Sequence, residues 1–182
     1  MGLFSKLLSV SNVVNILVVG LSGAAKETIM KKFIGKIYRE KSLHGFDVLV
    51  SHYKNIKFII LDVDKLHNSV SIWKYYMDNI QGLVYVVEKN SEYLDKCHEY
   101  IHKMLTWTNV PLLVLVNGTD RNPKNIINIT KEFQLLKINK IKWHVQGCCG
   151  KSGDGLYEGF GWLAHTISNP KYEYISVSRF FK

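Results

Sequence analysis

The sequence predicts an α/β fold: an open, mostly parallel sheet of six strands with one antiparallel edge strand, and helices packed on both faces. Three observations lead there. Short apolar runs of strand length alternate with segments whose apolar residues recur at helical spacing, so strands and helices are taken in turn. One pair of strand-like runs is separated by only two residues, too few for a crossover, so that pair is an antiparallel hairpin. Polar or glycine-bearing turns close several of the runs, at the end of the sheet where folds of this class bind ligands.

A chain of 182 residues that is 47% hydrophobic suits one compact domain whose core buries well over half of the unfolded surface. Its formal charge of +9 and pI near 9.4 favour an acidic partner, either an anionic membrane surface or nucleic acid. No DNA- or RNA-reading motif accompanies the charge, so nucleic acid ranks last. Cys97, Cys148 and Cys149 are odd in number and two are adjacent, which fits reduced thiols in a cytosolic setting. No run reaches the ~20 apolar residues of a membrane span. The apolar start is broken by Lys6, Ser9, Ser11 and Asn12 and lacks a small-residue cleavage site. The chain is therefore expected neither to be secreted nor to span a membrane, and the sequons at Asn117 and Asn128 are read as chance.

The first element, MGLFSKLLSV, puts Leu3, Phe4, Leu7 and Leu8 on one helical face, with Ser5, Lys6 and Ser9 elsewhere. Such an amphipathic helix, assigned to residues 1–14, lies on a membrane or docks on the protein's own core. The folded domain is assigned to residues 15–168. Its strands are NILVVG (15–20), FDVLVSHY (46–53), IKFIILD (56–62), GLVYVVE (82–88), PLLVLVN (111–117) and IKWHVQGC (141–148). The second and third are joined only by Lys54 and Asn55 and form the hairpin. After the fourth strand, Tyr93, Leu94, Cys97, Tyr100, Ile101, Met104 and Leu105 make one broad apolar helix face, and Leu156, Phe160, Leu163, Ala164 and Ile167 make another near the end. Residues 169–182 are a tail beyond the last helix.

Three polar signals fall at strand ends. GLSGAAKET (20–28) follows the first strand and opens a helix, where a phosphate-binding loop belongs, although G-x-x-x-x-G-K-[ST] is only half met. DVD begins at Asp62, and NGTD runs from Asn117 to Asp120. Each alone is more often a turn or a helix cap. Together, in this order, they have the layout of a guanine-nucleotide-binding domain.

Here the chain resembles the Arf/Arl family of small GTPases, nearly end to end. SGDGLYEG (152–159) with the following FGWL, NIQGLVYVV (79–87), YKNIKF (53–58) and HGFDV (44–48) are similar to Arf segments. The resemblance implies the P-loop small-GTPase fold, a hairpin between two nucleotide-sensing switches that slides on activation, GTP or GDP as ligand, effector or regulatory proteins as partners, and a monomer working in vesicle traffic. It places the protein in the cytoplasm and peripherally on Golgi or other endomembranes, held by the N-terminal helix and by myristate on Gly2. The acylation pattern M-G-x-x-x-[ST] is not met at Lys6, with Ser5 adjacent.

Residue by residue, the resemblance implies an eroded site. Gly20, Leu21, Ser22, Gly23, Ala24, Ala25, Lys26, Glu27 and Thr28 form the loop, with Gly20, Lys26 and Thr28 matching the pattern, so backbone N–H groups and one lysine remain for phosphates. Ala25 replaces the glycine before the lysine, and Glu27 replaces the Ser/Thr whose hydroxyl binds Mg²⁺. A carboxylate facing a phosphate oxygen at ~4 Å costs roughly 4 kcal/mol at an effective dielectric near 20, unless Mg²⁺ bridges the two or the carboxylate rotates to solvent. Leu43 stands at the switch threonine that closes over Mg²⁺. Asp62 is kept as an indirect, weak metal contact, but Asp64, Lys65 and Leu66 replace the last three residues of D-V-G-G-Q. Leu66 cannot orient an attacking water, so no catalytic residue is assigned and Mg²⁺ is in doubt.

At the base end Asn117 and Asp120 match N-K-x-D, Gly118 replaces the lysine that covers the base, and Gly150 and Lys151 sit at the S-A-K-like motif. Two functions follow: a divergent Arf-like regulator with weak guanine-nucleotide binding and little hydrolysis, or a nucleotide-free interaction scaffold. In the second, Lys26 is a solvated helix residue, and Asn117 and Asp120 merely tie loops together.

Overall fold

The computed structural model describes residues 13–42, 47–64, 70–118 and 123–169. The expected membrane helix, Gly2, Leu43, Lys65, Leu66, Asp120 and the tail beyond Asn169 lie outside the described residues. The elements run β1 (Val14–Gly20), α1 (Lys26–Phe33), β2 (Tyr38–Lys41), β3 (Asp47–Tyr53), β4 (Ile56–Asp62), α2 (Val70–Met77), β5 (Gly82–Glu88), α3 (Leu94–Met104), β6 (Leu112–Asn117), α4 (Pro123–Glu132), β7 (Trp143–Cys148) and α5 (Leu156–Ser168).

These strands form one sheet in the order β2-β3-β4-β1-β5-β6-β7. The pairs β1–β4, β1–β5, β5–β6 and β6–β7 are parallel, while β2–β3 and β3–β4 are antiparallel. The sheet therefore has seven strands rather than the expected six. The antiparallel strand β3 is second from the edge, and β2 is the edge. The reason is physical: Tyr-Arg-Glu-Lys pairs along one side only and is mostly exposed, so it needs no apolar run and shows none. Charge pairs hold it instead. Lys57 Nζ donates to Glu40 Oε2 at 2.8 Å, while Arg39 and Lys41 meet Asp47 at 3.2 and 2.7 Å. The Lys57 ammonium keeps the Glu40 carboxyl below the usual carboxylate range. Each exposed pair of this kind contributes about 0–1 kcal/mol.

The central strands are buried on both faces, and their two-residue period divides the core. Leu17 and Val19 of β1, with Leu83, Tyr85 and Val87 of β5, pack under α2, α3 and α4 through Trp73, Ile101 and Ile129. Ile16 and Val18, with Val84 and Val86, pack under α1 and α5 through Ile29, Met30 and Phe160. On α3 the predicted face holds at Cys97, Ile101 and Met104, which are buried. Tyr93 is the N-cap residue rather than a helical one, and it is exposed. The three cysteines are free, and burial pushes the Cys148 thiol up to about 12.

The α1–α5 layer is joined by aromatic rings. Phe160 stacks on Phe33 with centroids 4.0 Å apart and meets Phe58 edge-on at 5.9 Å. Phe160 is fully buried, so its truncation leaves a cavity beneath both helices. Phe160→Ala is expected to cost about 3–5 kcal/mol of unfolding free energy, read as a lower midpoint in urea denaturation of the whole chain.

Candidate functional site

β1 leaves the middle of the sheet at Gly20, where a Cβ would lie 2.4 Å from the carbonyl oxygen of Val86. Only glycine lets the chain turn there against β5. The loop folds on itself through Ala24 N–H to Leu21 O (3.1 Å), and α1 begins at Lys26. Ala25, just before the helix, has φ 55° and ψ 17°, the left-handed region, which costs a residue with a Cβ roughly 1–2 kcal/mol. The backbone thus keeps the shape for which the motif uses glycine, and the alanine bears the strain.

Lys26 is not a solvated helix residue. It is 5% exposed and turns back under the loop, where Nζ donates to Gly20 O at 2.9 Å and Leu21 O at 2.6 Å and pairs with Asp62 Oδ1 at 2.6 Å. Asp62 is brought there by the register of β1 on β4, which sets Gly20 beside Asp62, and Val63 N–H donates to Gly20 O. An ammonium has three N–H groups, and three oxygens surround this one.

Glu27 points away. Its carboxylate is bound to Lys31 at 2.6 Å one turn along α1, and both side chains are more than half exposed. The pairing offsets the negative charge that Glu27 brings to the start of the helix. Ser22 gives both its N–H (2.9 Å) and its hydroxyl (3.1 Å) to Asp64 Oδ1. Beside the loop opens a cleft of about 610 Å³, lined by Gly23, Ala24, Ala25, Lys26, Glu27 and Thr28 on one side and by Arg39, Asp47, Leu49, Ile60, Leu61 and Asp62 on the other. The volume falls in the range of small-molecule sites.

Two strands away, β5, β6 and β7 end together, with Glu88 beside Asn117 and Asn117 beside Cys148. The Asn117 amide donates to Glu88 Oε1 at 2.8 Å, and its Oδ1 accepts the Gly150 N–H at 2.9 Å. Asn117 therefore ties the β6 and β7 loops together, and the Gly150 amide expected to meet a base is engaged by it. Lys151 is exposed. The Ser152 hydroxyl, first among several hydrogen-bonding groups, holds the Cys149 thiol below its ordinary range. Sequence reading did not single out Glu88, Arg39 or Asp47 for the site. Glu88 carries the signal of a polar residue closing an apolar strand, whereas Arg39 and Asp47 depend on β2, which has no apolar pattern.

The family model of the ADP-ribosylation factor (Arf) family matches residues 1–167. The chain belongs to the Arf family. Its mixed α/β sheet is that of the small GTPases, and Arf membership supports a small GTP-binding regulator that uses GTP and GDP and acts through effectors.

One local strain in this Arf-family chain is directly measurable. Relief of the left-handed alanine is partly offset by the greater freedom of glycine in the unfolded chain, so Ala25→Gly is expected to stabilise by about 0.5–1 kcal/mol. In a chain of this size that raises Tm by roughly 2 °C, read by calorimetry without added nucleotide.

Proposed function

We propose that this chain is a divergent Arf-like regulator that binds guanine nucleotide weakly, turns it over little or not at all, and works peripherally on an endomembrane in vesicle traffic. The observation that carries the reading is the position of Lys26: buried, held on the loop carbonyls, and beside a cleft of about 610 Å³. A lysine of this kind reaches the outer phosphates of a nucleotide while the loop amides cradle the inner ones.

Weakness follows from the same geometry. A phosphate that engages Lys26 competes with the Asp62 carboxylate for it, and Arg39 on the opposite wall is already paired with Asp47. Mg²⁺ is a hard cation that takes oxygen ligands, and at phosphates it bridges and neutralises their charge. The described residues suit it poorly, because Glu27 is bound to Lys31 and Asp62 to Lys26. Leu66, at the position of the water-orienting glutamine, supports little hydrolysis. The Asn117–Gly150 and Asp64–Ser22 bonds favour a second reading, a nucleotide-free scaffold whose cradle is filled by its own groups.

Calorimetry with GDP and GTP, each with Mg²⁺ and with chelator, separates the two. Dissociation constants in the micromolar range or weaker, about −8 kcal/mol or less favourable, with little change on chelation, are expected. Nanomolar affinity that collapses on chelation would refute the first reading, and absence of binding would favour the scaffold.

The membrane part rests on the apolar face of residues 1–10 and on Gly2 as acyl acceptor. A single acyl chain holds only marginally, so the apolar helix face and the basic charge supply the second signal. Deleting residues 2–10 is expected to move the protein from the membrane fraction to the soluble one in cell fractionation. Unchanged fractionation would count against the proposal.

A further inference from the structure

Asp64 stands where the pattern D-V-G-G-Q has its first glycine, and its carboxylate makes contacts that a glycine cannot. Oδ1 accepts both the N–H and the hydroxyl of Ser22, at 2.9 and 3.1 Å. The contact joins the first half of the P-loop to the turn that follows β4.

Its place along the cradle is given by the lysine. In such loops the lysine serves the outer phosphates, and Lys26 Nζ lies against Gly20 O, Leu21 O and Asp62. The outer end of a bound phosphate chain is therefore the end where β1 and β4 run side by side, and Ser22 is the residue after Leu21. At that end Asp62 holds the ammonium, and Asp64 holds a backbone amide of the kind phosphates use. The inner end, at the start of α1, has no such occupant from Glu27, which is turned to Lys31.

Resting on the guanine-nucleotide reading of this site, we infer that Asp64 sets the choice between diphosphate and triphosphate. Its carboxylate takes the donors of Ser22 and adds negative charge where a third phosphate would lie, so GDP is accepted and GTP is disfavoured. A third phosphate brings additional negative charge that this carboxylate repels, whereas a diphosphate lacks it.

The experiment is calorimetric titration of the full chain, Asp64→Asn and Asp64→Gly with GDP and with GTP at one fixed Mg²⁺ concentration, circular dichroism confirming that each is folded. Asp64→Asn keeps an acceptor for Ser22 while removing the charge; Asp64→Gly removes both. The unaltered chain is expected to prefer GDP, and both variants to gain about tenfold in GTP affinity, or 1.4 kcal/mol, with GDP changed by less than about threefold. If Asp64→Gly does not fold, Asp64→Asn alone decides. A residue that merely braces the loop would move both nucleotides together, and that result overturns the inference. So does equal affinity of the unaltered chain for the two, or GDP binding with an unchanged GDP-to-GTP ratio, both of which leave the site reading standing. No binding by any of the three proteins overturns the site reading and this inference with it, whereas GTP binding gained only in the variants supports the inference.

Discussion

A buried ammonium must be surrounded by oxygen, and the phosphate-loop end of this protein is arranged around that requirement. Lys26 is almost wholly removed from water, and an uncompensated charge there would cost several kcal/mol. Two loop carbonyls and the Asp62 carboxylate meet it. For those carbonyls to point inward the loop must turn sharply after Gly20, and for Asp62 to arrive β4 must lie beside β1 in its observed register. One side chain thus ties the loop to the ends of the central strand and its neighbour, which the β1–β4 register has set side by side. Removing either charged partner of such a pair typically costs 3–5 kcal/mol.

The same requirement shapes the chemistry of the cleft. Its cations do not stand alone: Lys26 is matched by Asp62, Arg39 by Asp47, and outside the loop Lys31 by Glu27. Binding an anion here is an exchange of one carboxylate for another negatively charged group, and its net gain is much smaller than the raw attraction between a phosphate and a lysine. The strong basic balance of the whole chain, +9, does not reach the cleft as free positive charge. A formal charge is a property of the composition, whereas the field in a site depends on which charges are paired.

The other end of the strand edge shows a different economy. Glu88, Asn117 and Gly150 are linked by two half-buried hydrogen bonds. The loops after β6 and β7 are held together before any ligand arrives. Of the expected base-binding residues, the structure brings Asn117 and Gly150 into one cluster, leaves Lys151 exposed, and does not describe Asp120.

What the sequence determined by itself was the layered fold, because burial on two faces imposes a pattern that can be read one residue at a time. β4 and β5 were legible to their end residues, and β1 and β6 within one residue, from apolar runs such as IKFIILD and GLVYVVE. The hairpin was legible from the two residues that join β3 to β4. Only the tertiary structure decided the rest. β2 carries no apolar run, since an exposed edge strand is held by backbone pairing and by charged partners such as Asp47 and Lys57 on the strands that follow it. Whether Lys26 was solvated or buried, whether Glu27 faced the cradle or Lys31, and whether Ala25 took a left-handed turn depended on the side chains and backbone that surround them. Asp64 could be recognised as a departure from a family pattern, but its hydrogen bonds to Ser22, 42 residues away, could not. A pattern along the chain records which faces avoid water, and charge pairing depends on distances that exist only once the strands lie side by side.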